Sequence, residues 1–148
     1  MANIQKYLEE ATRFFNSLAT ELGNPENTDQ AYRLTSAFFH TLRERITVVE
    51  SFHFIAQLPL ILKGIYVDGW KPSEYNKSET VEEFLYDVRQ HSLKTASIDF
   101  GSDQEARDNI EAVIRILRHY ISDGEIEHVK AQLPPAIAEL FKKGDITA

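Results

Sequence analysis

The sequence predicts an all-α protein, formed by two pseudo-symmetric four-helix repeats that pack as one compact helical bundle domain. Three observations support this prediction: the chain repeats internally, its apolar residues follow the helical period, and four helix-start signals recur along it. The 148 residues are enough for one domain with a buried core. No segment of four or more residues alternates convincingly between apolar and polar, as a half-buried strand would.

The internal repeat is the strongest of these observations. Residues 31–66 align without a gap on residues 106–141, and eleven of the 36 aligned residues are identical. The longest identical string is Ala-Gln-Leu-Pro, which stands at 56–59 and again at 131–134. Such self-similarity predicts two copies of one structural unit.

The boundaries of the two copies follow from the alignment and from a polar linker. We expect the first copy to span residues 1–70 and the second copy to span residues 80–148, within one globular domain. Residues 71–79 begin with Lys-Pro and continue with mostly polar residues, which is typical of a connector.

Each copy is expected to contain four helices. Apolar residues recur three and four positions apart from Ile4 to Leu22, and Gly23 suits the end of that helix. Pro59 suits the first turn of a helix. The predicted helices of the first copy span 4–22, 30–45, 47–57 and 59–67, and those of the second copy span 80–93, 103–120, 123–133 and 134–143.

Four Ser/Thr-x-x-Glu patterns predict where helices begin. In such a capping box the hydroxyl group accepts a hydrogen bond from the backbone N–H of the glutamate, and the glutamate carboxylate accepts one from the backbone N–H of the Ser or Thr. The four patterns are Thr47 with Glu50, Thr80 with Glu83, Ser102 with Glu105 and Ser122 with Glu125.

Composition and charge exclude several functions. The chain contains no Cys, so disulfides, thiolate metal sites and cysteine catalysis are excluded. Its 23 acidic and 16 basic residues give a net charge of −7, which disfavours nucleic acid as a partner. No apolar run is long enough to span a membrane, and the N-terminus lacks the apolar core of an export signal, so we expect a cytoplasmic protein.

The paired segments resemble a known protein family. Residues 50–70 read ESFHFIAQLPLILKGIYVDGW, and residues 124–141 read GEIEHVKAQLPPAIAELF. They are similar to the two halves of domain-of-unknown-function family 2267, and the resemblance covers residues 5–143. It implies a helical, prokaryotic protein and brings no assigned activity. In the family pattern an Asp often stands where His53 and His128 stand, so the resemblance assigns these imidazoles no role.

Two Glu-x-x-His motifs, Glu50/His53 and Glu125/His128, provide candidate metal ligands. A spacing of three residues places both groups on one helix face, and carboxylate-bridged di-iron bundles use this motif on two helices together with one Glu from each of two others. The sequence favours the simpler interpretation, in which Glu50 and Glu125 complete capping boxes and no metal or other cofactor is bound. The further carboxylates of a di-iron site would come from Glu9 or Glu10 and from Glu82 or Glu83.

A polar pocket between the copies is a second candidate site. It would be lined by His53, Gln57, His128 and Gln132, since the His and the Gln of each copy are one helical turn apart. The alternative gives Gln57 and Gln132 a structural role, in which they hydrogen-bond to backbone groups left free where prolines interrupt the helices.

An apolar surface on the first copy is a third candidate site. The third and fourth helices of that copy are much more apolar than the aligned helices of the second copy, and one short helix has only one inward face. The excess either packs inside the molecule or forms a protein-interaction surface. Trp70 is expected to pack over the end of the fourth helix. The candidate surface residues are Phe52, Ile55, Ile61, Ile65 and Trp70.

These observations leave three functions open. The leading hypothesis is a non-enzymatic module that binds a protein partner, or a second copy of itself, through the apolar surface. The first alternative is a metal-binding protein that uses the Glu-x-x-His motifs, and the second is a small-ligand binder with its site in the cleft between the copies. No nucleophile elbow or glycine-rich phosphate loop is present, so the sequence favours no enzymatic reaction and predicts no catalytic residue.

Overall fold

Helices form all the regular structure of the described residues, which are 3–72, 79–92 and 99–142 of the computed structural model. The all-α prediction is therefore confirmed. The N-terminal half contains α1 (Ile4–Glu21), α2 (Thr28–Leu42), α3 (Val48–Ile55) and α4 (Leu60–Val67). The C-terminal half contains α5 (Val81–Gln90), α6 (Asp103–Leu117), α7 (Asp123–Ala131) and α8 (Pro135–Ala138), followed by a 3-10 turn at Glu139–Phe141.

The four predicted helix-start signals are confirmed. Asparagine side chains cap two further starts that the sequence analysis did not predict, Asn3 at α1 and Asn27 at α2. Each cap satisfies an N–H group that the first turn of a helix leaves without a partner. Four hydroxyl oxygens accept a hydrogen bond of 3.1 or 3.2 Å from the backbone N–H three residues later, and they belong to Thr47, Thr80, Ser102 and Ser122.

The helix ends depart from the prediction. Four helices, α2, α3, α6 and α7, end two or three residues before the predicted boundary, because their last residues form i→i+3 turn bonds instead of continuing the α-helical ladder. Pro59 and Pro134 precede α4 and α8 as N-cap residues and do not lie in their first turns. Gly23 has a φ of 83° and closes α1 as predicted. The helices predicted to end at 93 and 143 end earlier, α5 at Gln90 and α8 at Ala138, and α2 begins at Thr28 instead of 30. Residues 93 and 143 themselves lie outside the described residues.

One core is formed by the buried apolar side chains of both halves. Its central element is α2, which packs against α1, α4, α5 and α6. Phe38 on α2 is fully buried, and its ring lies 6.4 Å from that of Phe84 and 5.9 Å from that of Phe141. Within the described residues, no helix combines the length and the apolar character needed to cross a lipid bilayer.

A buried ion pair that the sequence analysis did not predict also connects the halves. Asp99 and Phe100 are helical and buried just before α6. The Asp99 carboxylate accepts two hydrogen bonds from the side chain of Arg33 on α2, both at 2.9 Å. A bidentate pair of this kind fixes orientation as well as distance.

Two identical residues of the aligned segments make equivalent contacts. Arg43 donates to the backbone carbonyls of Tyr66 and Asp68, both at 2.7 Å, where α4 ends. Arg118 stands at the aligned position and donates to the carbonyl of Phe141, the residue aligned with Tyr66. Each arginine thus binds the last helical segment of its own half.

Candidate metal centre

The candidate site lies where α3 packs against α7. Glu50 and His53 belong to α3, and Glu125 and His128 belong to α7, so each helix brings one Glu-x-x-His motif. Both helices begin at a hydroxyl cap, which places each motif in the first two turns. The two motifs, far apart in the sequence, therefore meet across one helix–helix contact.

Two glutamines connect these helices in a reciprocal way. The side-chain oxygen of Gln132 accepts from the backbone N–H of Thr47 at 2.8 Å, and that of Gln57 accepts from the backbone N–H of Ser122 at 2.7 Å. Each glutamine follows one helix and binds the N-cap residue of the other. The amide nitrogens add contacts from Gln57 to Ser122 Oγ at 3.3 Å and from Gln132 to Glu50 Oε1 at 3.5 Å.

These contacts overturn the interpretation of Glu50 and Glu125 as residues that merely complete capping boxes. In a capping box the carboxylate would accept from the N–H of the N-cap residue, but a glutamine of the other half is already bound to that N–H. The role expected of the glutamines at the proline breaks is wrong for the same reason, since they satisfy backbone groups at helix starts. The carboxylates are left free to approach each other.

Glu50 and Glu125 form a buried carboxyl pair. Their side chains are 9% and 6% exposed, and the Oε2 atom of each has no hydrogen-bond partner among the described residues. Burial, together with the neighbouring Glu50, raises the pKa of Glu125 to about 8. The pair therefore holds one proton at neutral pH, because two adjacent buried carboxylates cannot both ionise at low cost. A divalent cation can take the place of that proton.

An imidazole flanks each carboxylate. His53 Nδ1 lies 3.8 Å from Glu50 Oε2, and His128 Nδ1 lies 3.8 Å from Glu125 Oε1, while both rings are mainly exposed. In residues 3–72, 79–92 and 99–142, the only group of three possible ligands that converges is Glu50, His53 and Glu125, whose ligand atoms all lie within 4.8 Å of one another. Zinc bonds to nitrogen and oxygen of about 2.1 Å require ligand atoms about 3.5 Å apart. A bound zinc ion would therefore require these ligand atoms to move closer together than they are here.

The further carboxylates of a four-helix di-iron site do not join this cluster. Glu9 and Glu10 lie on α1, and Glu82 and Glu83 lie on α5. The Glu83 carboxylate accepts from the backbone N–H of Glu79 at 3.3 Å. The convergent donors of the described residues come from two helices, so these residues do not form the four-helix arrangement of a di-iron site.

Comparison with known families accounts for most of the chain. Residues 11–140 match the family described as uncharacterized conserved protein, DUF2267. The chain belongs to the DUF2267 family. The matched residues include both Glu-x-x-His motifs, so the resemblance inferred from the paired segments is confirmed. No curated protein matches the sequence.

The candidate interaction surface of this DUF2267 protein is only partly exposed. Phe52 is 56% exposed, and Val49, one turn earlier and missed by the sequence analysis, is 63% exposed. Trp70 packs over the end of α4, with its ring 5.8 Å from that of Tyr66 and 6.3 Å from that of Phe52. The remaining candidates are half-buried and pack against the core, as Trp70 does: Ile55, Ile61 and Ile65.

The four residues of the predicted polar pocket lie around the same junction of this DUF2267 chain and divide into two roles. Gln57 and Gln132 hydrogen-bond between the helices, whereas the rings of His53 and His128 are exposed to solvent.

A solvent-open cleft of about 490 Å³ lies elsewhere, between α1 and the end of α6, and its lining includes Asn16, Thr20, His119 and Tyr120.

Proposed function

We propose that this protein binds one divalent transition-metal ion between α3 and α7. Glu50 and Glu125 supply oxygen ligands, and His53 and His128 supply imidazole nitrogens. The observation that carries the proposal is the buried carboxyl pair, whose oxygens converge with the His53 imidazole so that the three possible ligand atoms lie within 4.8 Å of one another. Burying two carboxyl groups side by side costs free energy that a bound ion would recover.

Charge and donor chemistry support a single ion of this class. Two carboxylates balance the charge of one divalent cation, and two neutral imidazoles complete a set of four ligands. Mixed nitrogen and oxygen donors suit Zn²⁺, Fe²⁺ and Ni²⁺, whereas Ca²⁺ and Mg²⁺ prefer oxygen donors alone.

We also propose that the two halves are related by a pseudo-two-fold axis through this site. A two-fold arrangement makes each contact occur twice with the halves exchanged. The reciprocal bonds of Gln57 and Gln132 support it, as do the equivalent carbonyl contacts of Arg43 and Arg118.

Metal titration of the purified, chelator-treated protein tests the proposed function. We expect calorimetry to detect one Zn²⁺ per chain, and the double variant Glu50→Gln/Glu125→Gln to bind none. The variant His53→Ala/His128→Ala should bind at least about 10-fold more weakly. His119→Ala, which removes an exposed histidine elsewhere, is the matched control. Failure of the unmodified protein to bind Zn²⁺, Fe²⁺ or Ni²⁺ would refute the proposal.

The exposed pair Val49 and Phe52 favours a second candidate function, the docking of a protein partner or a second copy of the chain. Both side chains lie on one face of α3, and exposed apolar neighbours often mark protein contacts. Light scattering after size-exclusion chromatography tests the second-copy form. A dimer that Phe52→Ser converts to a monomer would support it, and a monomer at all concentrations would contradict it.

A further inference from the structure

We infer that metal occupancy controls the closure of the seam between α3 and α7. The seam is the contact between these two helices, each of which also contributes buried side chains to the core: Phe54 from α3, and Ile126 and Val129 from α7. The inference rests on the proposed metal binding and adds what the bound ion does to the fold.

The two helices of the seam depend on each other for packing. α3 has eight residues and α7 has nine, and helices of that length are not stable alone in water. α3 packs mainly against α4 and α7, and α7 packs mainly against α3 and α8. Since α8 has only four residues, α3 is the principal support of α7.

The polar contacts across the seam favour closure only weakly. The hydrogen bonds of Gln57 and Gln132 join backbone groups at exposed helix starts, where water can replace them. Inside the seam, Glu50 and Glu125 are buried side by side, with side chains that are 9% and 6% exposed. Opening exposes both carboxyl groups to water, so it relieves the desolvation cost that the closed, metal-free seam carries.

A bound ion makes the closed seam more stable than the open one. Its ligands come from both helices, so opening the seam separates Glu50 from Glu125 and releases the ion. A ligand that binds only the closed form suppresses opening by a factor of one plus the ratio of free ligand to Kd. At a free Zn²⁺ concentration 100 times the Kd, opening is suppressed about 100-fold.

Hydrogen exchange of the full chain, with and without Zn²⁺, tests the inference. In the metal-free protein, the amides of α3 and α7 should exchange faster than those of the central helices α2 and α6. Zn²⁺ should slow exchange in α3 and α7 in proportion to its free concentration, until the rates match those of α2 and α6. Metal-free α3 and α7 that are already as protected as α2 and α6 would overturn the inference.

Calorimetric Zn²⁺ titration of the same samples separates the inference from the proposed function. If Zn²⁺ does not bind, both are wrong. If Zn²⁺ binds but exchange in α3 and α7 does not change, metal binding stands and the inference fails.

Variants at exposed histidines provide the control. His53→Ala/His128→Ala removes two side chains that lie outside the core, so the protein should fold and need at least about 10-fold more Zn²⁺ to reach the same protection. His119→Ala should need no more Zn²⁺ than the unmodified protein. The same dependence of protection on Zn²⁺ in the double variant would show that Zn²⁺ acts through another site and would overturn the inference.

Discussion

At the starts of α3 and α7, a glutamine of the other half takes the place of the glutamate as the partner of the N-cap N–H. This replacement explains why Glu50 and Glu125 are buried. The N-cap backbone N–H of α3 and of α7 binds a glutamine of the other half, so the carboxylate of the same helix has no cap to complete. Both carboxyl groups lie inside the α3–α7 contact, where burial raises the pKa of Glu125.

Replacing Glu125 by Gln should stabilise the metal-free protein and abolish metal binding. The uncharged amide can donate a hydrogen bond to Glu50, while the charge that opposes a second carboxylate is removed. We expect the free energy of unfolding at pH 8 to rise by on the order of 1 kcal/mol, as measured by urea denaturation. Glu127→Gln, at an exposed position on the same helix, should change neither property. A destabilised Glu125→Gln variant would mean that the carboxyl pair contributes to stability.

Gln57 is a positioning residue for the site, although it is not a ligand. In Gln57→Ala the backbone N–H of Ser122 becomes available, so Glu125 can turn back, complete the capping box and withdraw its oxygen from the metal. We expect Zn²⁺ affinity to fall about 10-fold. Gln5→Ala, which removes an exposed glutamine whose amide donates to Glu9 on α1, is the control. Unchanged affinity in Gln57→Ala would show that Glu125 holds its position without the glutamine.

On the scale of elements, the hydroxyl cap determines where α7 begins. Ser122 Oγ accepts from the backbone N–H of Glu125 at 3.2 Å and from the Gln57 amide at 3.3 Å. Ser122→Ala should therefore lower the free energy of unfolding by on the order of 1 kcal/mol. Ser17→Ala, at an exposed position within α1, should not lower the free energy of unfolding by a comparable amount. A loss within roughly 0.2 kcal/mol for Ser122→Ala would mean that this cap does not support α7.

The helix starts with a Ser or Thr cap were predictable, whereas the ends of α2, α3, α6 and α7 were not, for a physical reason. A start such as that at Ser122 is encoded by a side chain next to the N–H that it satisfies. An end such as that of α6 depends on where packing makes the last turn tighten, since the apolar pattern continues past Leu117.

The candidate site was predictable in its motifs and not in its geometry. Glu50/His53 and Glu125/His128 stand out in the sequence, but the partner of each N-cap N–H lies 85 or 65 residues away. A local sequence pattern favours the capping box because it does not include the distant glutamine that binds the same N–H. The signal that could have revealed it is the same Gln at the same distance from a hydroxyl cap in both copies.

On the scale of the whole molecule, two histidines join the halves. His40 on α2 and His91 after α5 face each other with ring centroids 6.0 Å apart. His40 Nε2 is hydrogen-bonded to the Ile65 carbonyl at 2.8 Å, and His91 Nε2 lies 3.3 Å from Glu44 Oε1. Burial lowers the pKa of both histidines, and the charge of Arg43 lowers it further.

These histidines should make the protein sensitive to mild acid. Because the folded state favours the neutral rings, their contribution to stability is complete above the ordinary pKa of 6.5 and is lost as the pH falls below it. We expect the Tm of the metal-free Glu125→Gln variant, which lacks the opposing titration of Glu125, to fall as the pH is lowered from about 7 to about 5. Thermal unfolding followed by circular dichroism should show a weaker pH dependence when His40→Gln/His91→Gln is added to that variant. An equal slope in the two proteins would contradict this prediction.

The reciprocal glutamine contacts also constrain how the sequence of this chain can change over generations. Gln57 binds a residue 65 positions later, and Gln132 binds a residue 85 positions earlier. A mutation that removes either glutamine leaves a backbone N–H without its partner in the opposite half, so selection acts on both halves at once. Both glutamines lie in the Ala-Gln-Leu-Pro string that occurs twice, so each copy of this string is constrained by the opposite half.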